Sequence, residues 1–239
     1  MTIWREVQAY ADMIPHPIES LAERIGKASY ILVLDATYER VNGRGYYIHI
    51  AYDTVIGVIH FAIDESENAT SYAIMLNMLA ERRYKPRIVV SDGHGGILTA
   101  IQDWGIPHQR CIFHFLKNLR STLNHKKELR KGNGVLFQRM RRVLNSKTIE
   151  TLAMRVNDLR RIVWCFRSKE QKQALEKFWE GLHEATLHLS FDREVPSTSN
   201  VLERLNGQIE ARTKTMRGMK SKKSLFKLLK ILFYFRNYK

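Results

Sequence analysis

Residues 28–64 read "ASYILVLDATYERVNGRGYYIHIAYDTVIGVIHFAID". Runs rich in Val, Ile, Tyr and Phe are broken twice, at "VNGRG" (41–45) and around Thr54–Gly57. Such runs have the composition of strands, and Asn-Gly between two of them is a strong hairpin signal. The stretch therefore reads as a meander of three strands over 28–37, 46–53 and 57–64, with Asp35 ending the apolar part of the first.

Working outward, "NATSYAIMLNMLAERRY" (68–84) has apolar residues at helical spacing after a Ser/Thr-rich start. "KPRIVVSD" (85–92) reads as a fourth strand ending in Asp92, "GGILTAIQDWG" (95–105) as a helix stopped by Gly105, and "PHQRCIFH" (107–114) as a short fifth strand feeding a helix. The order β-β-β-α-β-α-β implies a mixed sheet covered by helices. Between 115 and 190 the β-branched runs vanish and basic amphipathic helices follow, among them "GVLFQRMRRVLNS" and "EQKQALEKFWEGLHEA". Trp104, Trp164 and Trp179 are expected in the core. In "VPSTSNVLERLNGQIEARTKTMRGMKS" (195–221), Asn200 and Glu203 have capping-box spacing at the start of a helix. On that helix Val201, Leu202, Leu205 and Ile209 share one face, Glu203, Asn206 and Glu210 one flank, and Arg204, Gln208 and Arg212 the other. The final run, "SLFKLLKILFYFRNYK", is apolar around most of a helix and is expected to pack on the sheet.

Charge narrows the function. The 39 Lys and Arg against 24 Asp and Glu leave a formal +15 over 239 residues, a surface suited to polyanions. The excess is concentrated: residues 211–239 hold ten basic residues and no acid, and 115–195 hold eighteen against nine. Cys111 and Cys165 do not make a secreted disulfide framework, and no apolar run approaches the ~20 residues of a membrane span. The start "MTIWREVQAYADMIP" lacks the order of a signal peptide. These features read as a soluble cytoplasmic protein, associated with the nucleoid in a prokaryote.

If the strands carrying Asp35 and Asp92 are parallel neighbours, their carboxylates emerge together, repel and resist ionisation. A divalent cation resolves that conflict, and oxygen ligands of this kind suit Mg²⁺ or Mn²⁺. A third carboxylate, Glu203, completes a site for two metal ions; Glu210 and Glu194 are the fallback residues. Cys111 and His114 have C-x-x-H spacing, half of a zinc site that His108 or His125 would have to complete. Otherwise Cys111 packs under the sheet. His94 contacts a phosphate or merely forms the turn.

Three blocks, "LVLDATYERV" (32–41), "VVSDGHGGILTAI" with "QRCIFHFLKN" (89–101 and 109–118), and "STSNVLERLNGQIEARTKTM" (197–216), resemble the catalytic domain of DDE transposases of the Mutator-like superfamily. The resemblance runs from about residue 29 to the end. It implies an α/β, RNase H-like fold whose mixed five-stranded sheet has flanking helices and an α-helical insertion before the last catalytic helix. The implied organisation is a helical lead-in over 1–28, a first core part over 29–114, the insertion over 115–195 and a last core part over 196–239. It also assigns Asp35, Asp92 and Glu203 as the metal-binding catalytic triad for two Mg²⁺ or Mn²⁺ ions, with DNA strand cleavage and strand transfer as the activity. His94, Arg110, His114, Lys117, Arg204, Arg212, Lys214 and Arg217 are the expected DNA contacts, Cys111 and His114 the structural motif, and a dimer or larger assembly on DNA, away from membranes, the working form. Residues 1–28 are shorter than the end-recognition domain that precedes the catalytic region in that family, so a catalytic portion is expected here. The alternatives are a transposase-derived DNA-binding protein without catalysis and a nuclease that cuts without joining.

Overall fold

Strand β1 (Ile31–Val41) returns as β2 (Arg44–Asp53) through the two residues Asn42 and Gly43. Their φ values are +52° and +80°, the left-handed pair that a two-residue hairpin needs to match strand twist. The computed structural model describes residues 3–123, 131–191, 194–215 and 221–238. β3 (Gly57–Asp64) is antiparallel to β2, with a register shift between Ala51 and Tyr52. β4 (Ile88–Ser91), buried along its whole length, runs parallel to β1 with Ile31 opposite Ile88, Leu32 opposite Val89 and Val33 opposite Val90. With β5 (His108–Arg110) the strand order is β3-β2-β1-β4-β5. This is the mixed five-stranded α/β sheet expected from the sequence.

One expectation is corrected: the first strand does not end at Thr37 but continues to Val41, six residues past Asp35. Up to Val33, β1 is flanked by both β2 and β4 and stays apolar; beyond it the β4 register ceases and only β2 remains, so polar residues are tolerated.

The chain divides into two compact units, Met1–Pro107 with Ser199–Lys239, and His108–Thr198. In the first, α1 (Ile3–Met13) and the single turn α2 (Leu21–Arg24) lead into the sheet. α3 (Ala69–Glu81) is capped by Asn68, whose side chain accepts from the Ser71 N–H at 3.0 Å. α4 (Gly95–Gln102) follows β4. Tyr72, Met75, Leu76 and Leu79 of α3 and Ile97 and Ile101 of α4 share a core with Leu32, Leu34 and Val89 of the sheet. α9 (Asn200–Thr215) packs on β1 and α10 (Lys222–Asn237) on β3, where Phe233 meets Phe61 edge-on at 5.0 Å.

The second unit is built from α5 (Ile112–Thr122), α6 (Lys131–Leu144), α7 (Ile149–Ile162) and α8 (Lys169–Thr186). Their apolar stripes meet in a core containing Phe115, Leu119, Leu136, Met140, Leu159 and Phe178. Gln109 of β5 fastens to the end of α8, donating to the Ala185 carbonyl at 3.0 Å and accepting from the His188 N–H at 2.7 Å. Of the three tryptophans expected in the core, Trp179 packs against this one, but Trp164 is 70% and Trp104 36% exposed. Trp164 sits on a 3₁₀ turn past the end of α7, where its indole N–H reaches the Arg161 carbonyl at 2.9 Å and most of the ring stays exposed. Among the described residues no helix is long and apolar enough to cross a membrane.

A buried carboxylate pins the start of the sheet. Asp53, fully buried at the end of β2, accepts hydrogen bonds from the N–H groups of Ser29, Tyr30, Val55 and Ile56, from the Ser29 hydroxyl at 2.9 Å and from the Tyr84 hydroxyl at 2.8 Å. Each buried donor left unsatisfied costs about 1–3 kcal/mol, so Asp53→Ala is expected to lower the unfolding free energy by at least ~3 kcal/mol in a denaturant titration, with Asp53→Asn milder.

His16 and His60 lie side by side beneath α10, 8% and 5% exposed, their rings 5.0 Å apart. Burial holds both neutral, pushing His60 down to about 3 and His16 to about 4, the latter despite its bond to the Phe61 carbonyl. In the unfolded chain both protonate near 6.5, so the unfolded state takes up more protons below that value. Stability is therefore fully present above pH 6.5 and falls, by on the order of a few kcal/mol, as pH drops towards 4. His60→Phe is expected to flatten this slope; an unchanged slope in that variant would count against the assignment.

Candidate active site

β1 and β4 set the geometry of the first two candidate residues. Two positions past the last registered pair, Val33 opposite Val90, stand Asp35 and Asp92. The buried residues Ile31–Leu34 and Ile88–Ser91 fix both strands in the core, so the carboxylates emerge where the two strands cease to pair. After Asp92 the chain turns on Gly93 at φ +84°, and Asp92 Oδ1 accepts from the His94 N–H at 2.8 Å, a side-chain turn that holds its carboxylate. His94 then caps α4, its Nδ1 accepting from the Gly96 N–H at 3.3 Å.

Asp35 is held at both oxygens. Oδ1 accepts from the Ala36 N–H at 3.0 Å and Oδ2 from the Asn206 side-chain amide at 2.9 Å. Burial first, and the Asp92 charge second, push Asp35 up from the ordinary carboxylate range to about 7, outweighing the two hydrogen bonds; Glu67 adds to the rise. No Lys or Arg among the described residues is paired with Asp35 or Asp92. Asn206 Oδ1, also buried, has no hydrogen-bond partner among them. A pair of carboxylates without a counter-charge, next to an unused amide oxygen, is a donor set for a hard cation.

Glu203 lies on α9, half-buried, one turn before Asn206. Leu202, Leu205, Ile209 and Thr213 are the buried face of this helix, leaving Glu203 and Asn206 on its flank. The capping-box expectation for Asn200 and Glu203 is corrected: the Ser199 carbonyl accepts from Leu202 at 2.8 Å and Glu203 at 3.2 Å, so Ser199 holds the cap position and Asn200 is already helical. Of the fallback carboxylates, Glu210 is exposed and bound to Lys214 at 2.5 Å, and Glu194 belongs to the other unit.

The candidate DNA contacts fall on both units. Arg204, Arg212 and Lys214 are exposed along α9, and His94 is half-buried beside Glu67, 3.3 Å away. Arg217 lies outside the described residues. In the second unit Lys117 is exposed on α5, His114 is half-buried, and Arg110 lies over the Phe115 ring at 4.7 Å. Cys111 is buried at the cap of α5, with its sulfur within 4.8 Å of a His114 ring nitrogen. Of the two further zinc candidates, His108 stands 3.4 Å from Glu184, and His125 lies outside the described residues.

Two residues at the site were not singled out from the sequence. Asn206 shares the flank of Glu203 three residues on, a spacing that places both on one side of a helix. Glu67, in the connection before α3, carries no sequence signal, since only the fold brings it to Asp35.

The model of the family described as Transposase, Mutator family, matches residues 5–238. The transposase for insertion sequence element IS406 of Burkholderia multivorans is 27% identical over 87% of this chain and 55% of its own length. That for ISRM5 of Rhizobium meliloti is 27% identical over 95% of this chain and 58% of its own. That for IS256 in transposon Tn4001 of Staphylococcus aureus is 25% identical over 72% and 44%. The chain thus spans about half the length of the curated relatives it matches. Among solved structures, the HTLV-2 integrase catalytic core domain in complex with magnesium is 18% identical, with a TM-score of 0.31 over 45% of this chain and 81% of that one. With nearly its whole length matched, the chain belongs to the Mutator family of transposases.

Proposed function

We propose that this chain is the catalytic part of a transposase that cuts DNA at transposon ends and joins the freed ends to target DNA, with Asp35, Asp92 and Glu203 holding two Mg²⁺ or Mn²⁺ ions. The observation that carries this reading is the Asp35–Asp92 pair, brought together by the parallel β1–β4 register with no Lys or Arg of the described residues paired to it. The insertion-sequence transposases to which the chain is similar support DNA as the substrate. Such ions, when bound, activate the attacking oxygen and stabilise the leaving oxygen of an in-line displacement at phosphorus.

The protein's own part is to hold and orient. Asn206 and the Ala36 N–H fix the plane of the Asp35 carboxylate, and the His94 N–H fixes that of Asp92. Arg204, Arg212, Lys214 and Arg217, with Arg110, His114 and Lys117 of the second unit, neutralise phosphates and set register without reading bases. His94, at the turn after Asp92, serves the same end. The net +15 draws DNA in and makes its binding salt-dependent. On DNA the chain acts as a dimer or larger assembly.

The test is Mg²⁺- or Mn²⁺-dependent nicking and strand joining on labelled duplex carrying the flanking repeats of the encoding element. Asp92→Asn and Glu203→Gln are each expected to lower product formation by more than ~100-fold, since even the partners of metal ligands are worth 10–100-fold, while salt-sensitive DNA binding persists. Nicked product without joined product would make the protein a nuclease; binding without product under either metal would make it a DNA-binding derivative. Asn206→Ala is expected to weaken Mn²⁺ binding ~10–100-fold in calorimetric titration with the fold intact, and wild-type affinity in that variant would remove Asn206 from the site.

A further inference from the structure

Glu67 stands in the short connection between β3 and α3, and the family reading gives it no role. Its Oε1 accepts the Tyr72 hydroxyl at 2.7 Å. Tyr72 is fully buried, with its ring edge-on to that of His49 at 4.9 Å, so packing fixes the direction of the hydroxyl. The same carboxylate oxygen lies 3.3 Å from His94 Nδ1, which donates to it in the tautomer that carries the proton there and accepts from the Gly96 N–H in the other. His94 in turn begins α4 and gives its backbone N–H to Asp92. A rigid donor on one helix is thus linked, through one half-buried carboxylate, to the turn that presents Asp92.

Backbone packing at the same place supports a tie rather than a chance contact. A Cβ added at Gly96 would meet the Asn68 carbonyl carbon at 3.0 Å and the Ala69 nitrogen at 3.1 Å. The first turns of α3 and α4 therefore touch through their backbones, and glycine at 96 lets them. The Glu67 charge is also felt at Asp35, where it adds to the rise in pKa, which places Glu67 in the electrostatic surroundings of the carboxylate pair.

We propose that Glu67 is a positioning residue for the Asp35–Asp92 site, tying Tyr72 of α3 to His94 of α4 and so fixing the turn that carries Asp92. The proposal rests on the metal-site reading above for its functional consequence, while the tie itself is independent of any metal.

The experiment compares wild type, Glu67→Ala, Glu67→Gln and Tyr72→Phe as full chains. Amide hydrogen exchange over residues 92–98 is read without metal, Mn²⁺ affinity by electron paramagnetic resonance of the free ion, and global stability by thermal melting. Glu67→Ala is expected to speed exchange over this turn ~10-fold or more and to weaken Mn²⁺ binding ~10–100-fold. Glu67→Gln is expected to restore both, because its amide oxygen stands in for Oε1 and accepts from the Tyr72 hydroxyl and from His94 Nδ1–H. Tyr72→Phe keeps the ring and loses the hydroxyl, and is expected to resemble Glu67→Ala in exchange; with Glu67→Gln it carries the test if the alanine variant fails to fold. Wild-type exchange in Glu67→Ala or Tyr72→Phe would overturn the proposal. So would a Glu67→Gln variant with wild-type exchange and Mn²⁺ binding as weak as in Glu67→Ala, since charge and not positioning would then be its contribution. Absence of Mn²⁺ binding in wild type would overturn the metal reading, and the exchange data would then decide the tie alone.

Discussion

Strand β1 is held in two registers at once, antiparallel to β2 and parallel to β4, and the remaining features of the first unit follow from that constraint. A slip of one residue in a strand exchanges its two faces, which would send Leu32 and Leu34 out of the α3/α4 core. Asp53 guards against the slip at the strand's beginning, gathering the Ser29 and Tyr30 N–H groups, the turn after β2 and the Tyr84 hydroxyl on one carboxylate. With the register fixed, Asp35 and Asp92 are brought to the same edge.

That arrangement works against stability. Asp35 is buried beside a second carboxylate, and its proton affinity has risen to about 7 as a result. Two hydrogen bonds offset only part of the cost. Perturbed groups of this kind concentrate at functional sites, which supports the metal site proposed at Asp35 and Asp92. The surrounding residues share a logic of restraint: Asn206, the Ala36 and His94 N–H groups and, through His94, Glu67 each limit the motion of an acid and bring no positive charge to it.

Much of this was legible in the sequence. The three-strand meander, the later strands and the helices between them follow from periodicity and turn chemistry, and Asp35 and Asp92 stand out because each ends an apolar run. Where reading failed, the cause was tertiary. The continuation of β1 past Asp35 depends on where β4 stops pairing, which no local pattern records. Ser199 took the cap from Asn200 although both residues suit the position. Trp164 is exposed because its turn projects beyond α7, not because its composition differs from that of Trp179. Glu67 is invisible in sequence, since its value lies in meeting Tyr72 and His94 across two elements.

The most direct test of the central claim is anomalous diffraction at the manganese edge from crystals grown with Mn²⁺. The account expects a peak between the Asp35 and Asp92 carboxylates, within the ~2–2.6 Å reach of oxygen ligands, and its loss in Asp92→Asn. Ordered carboxylates with no peak beside them at saturating Mn²⁺, or a peak that survives Asp92→Asn unchanged, would contradict it.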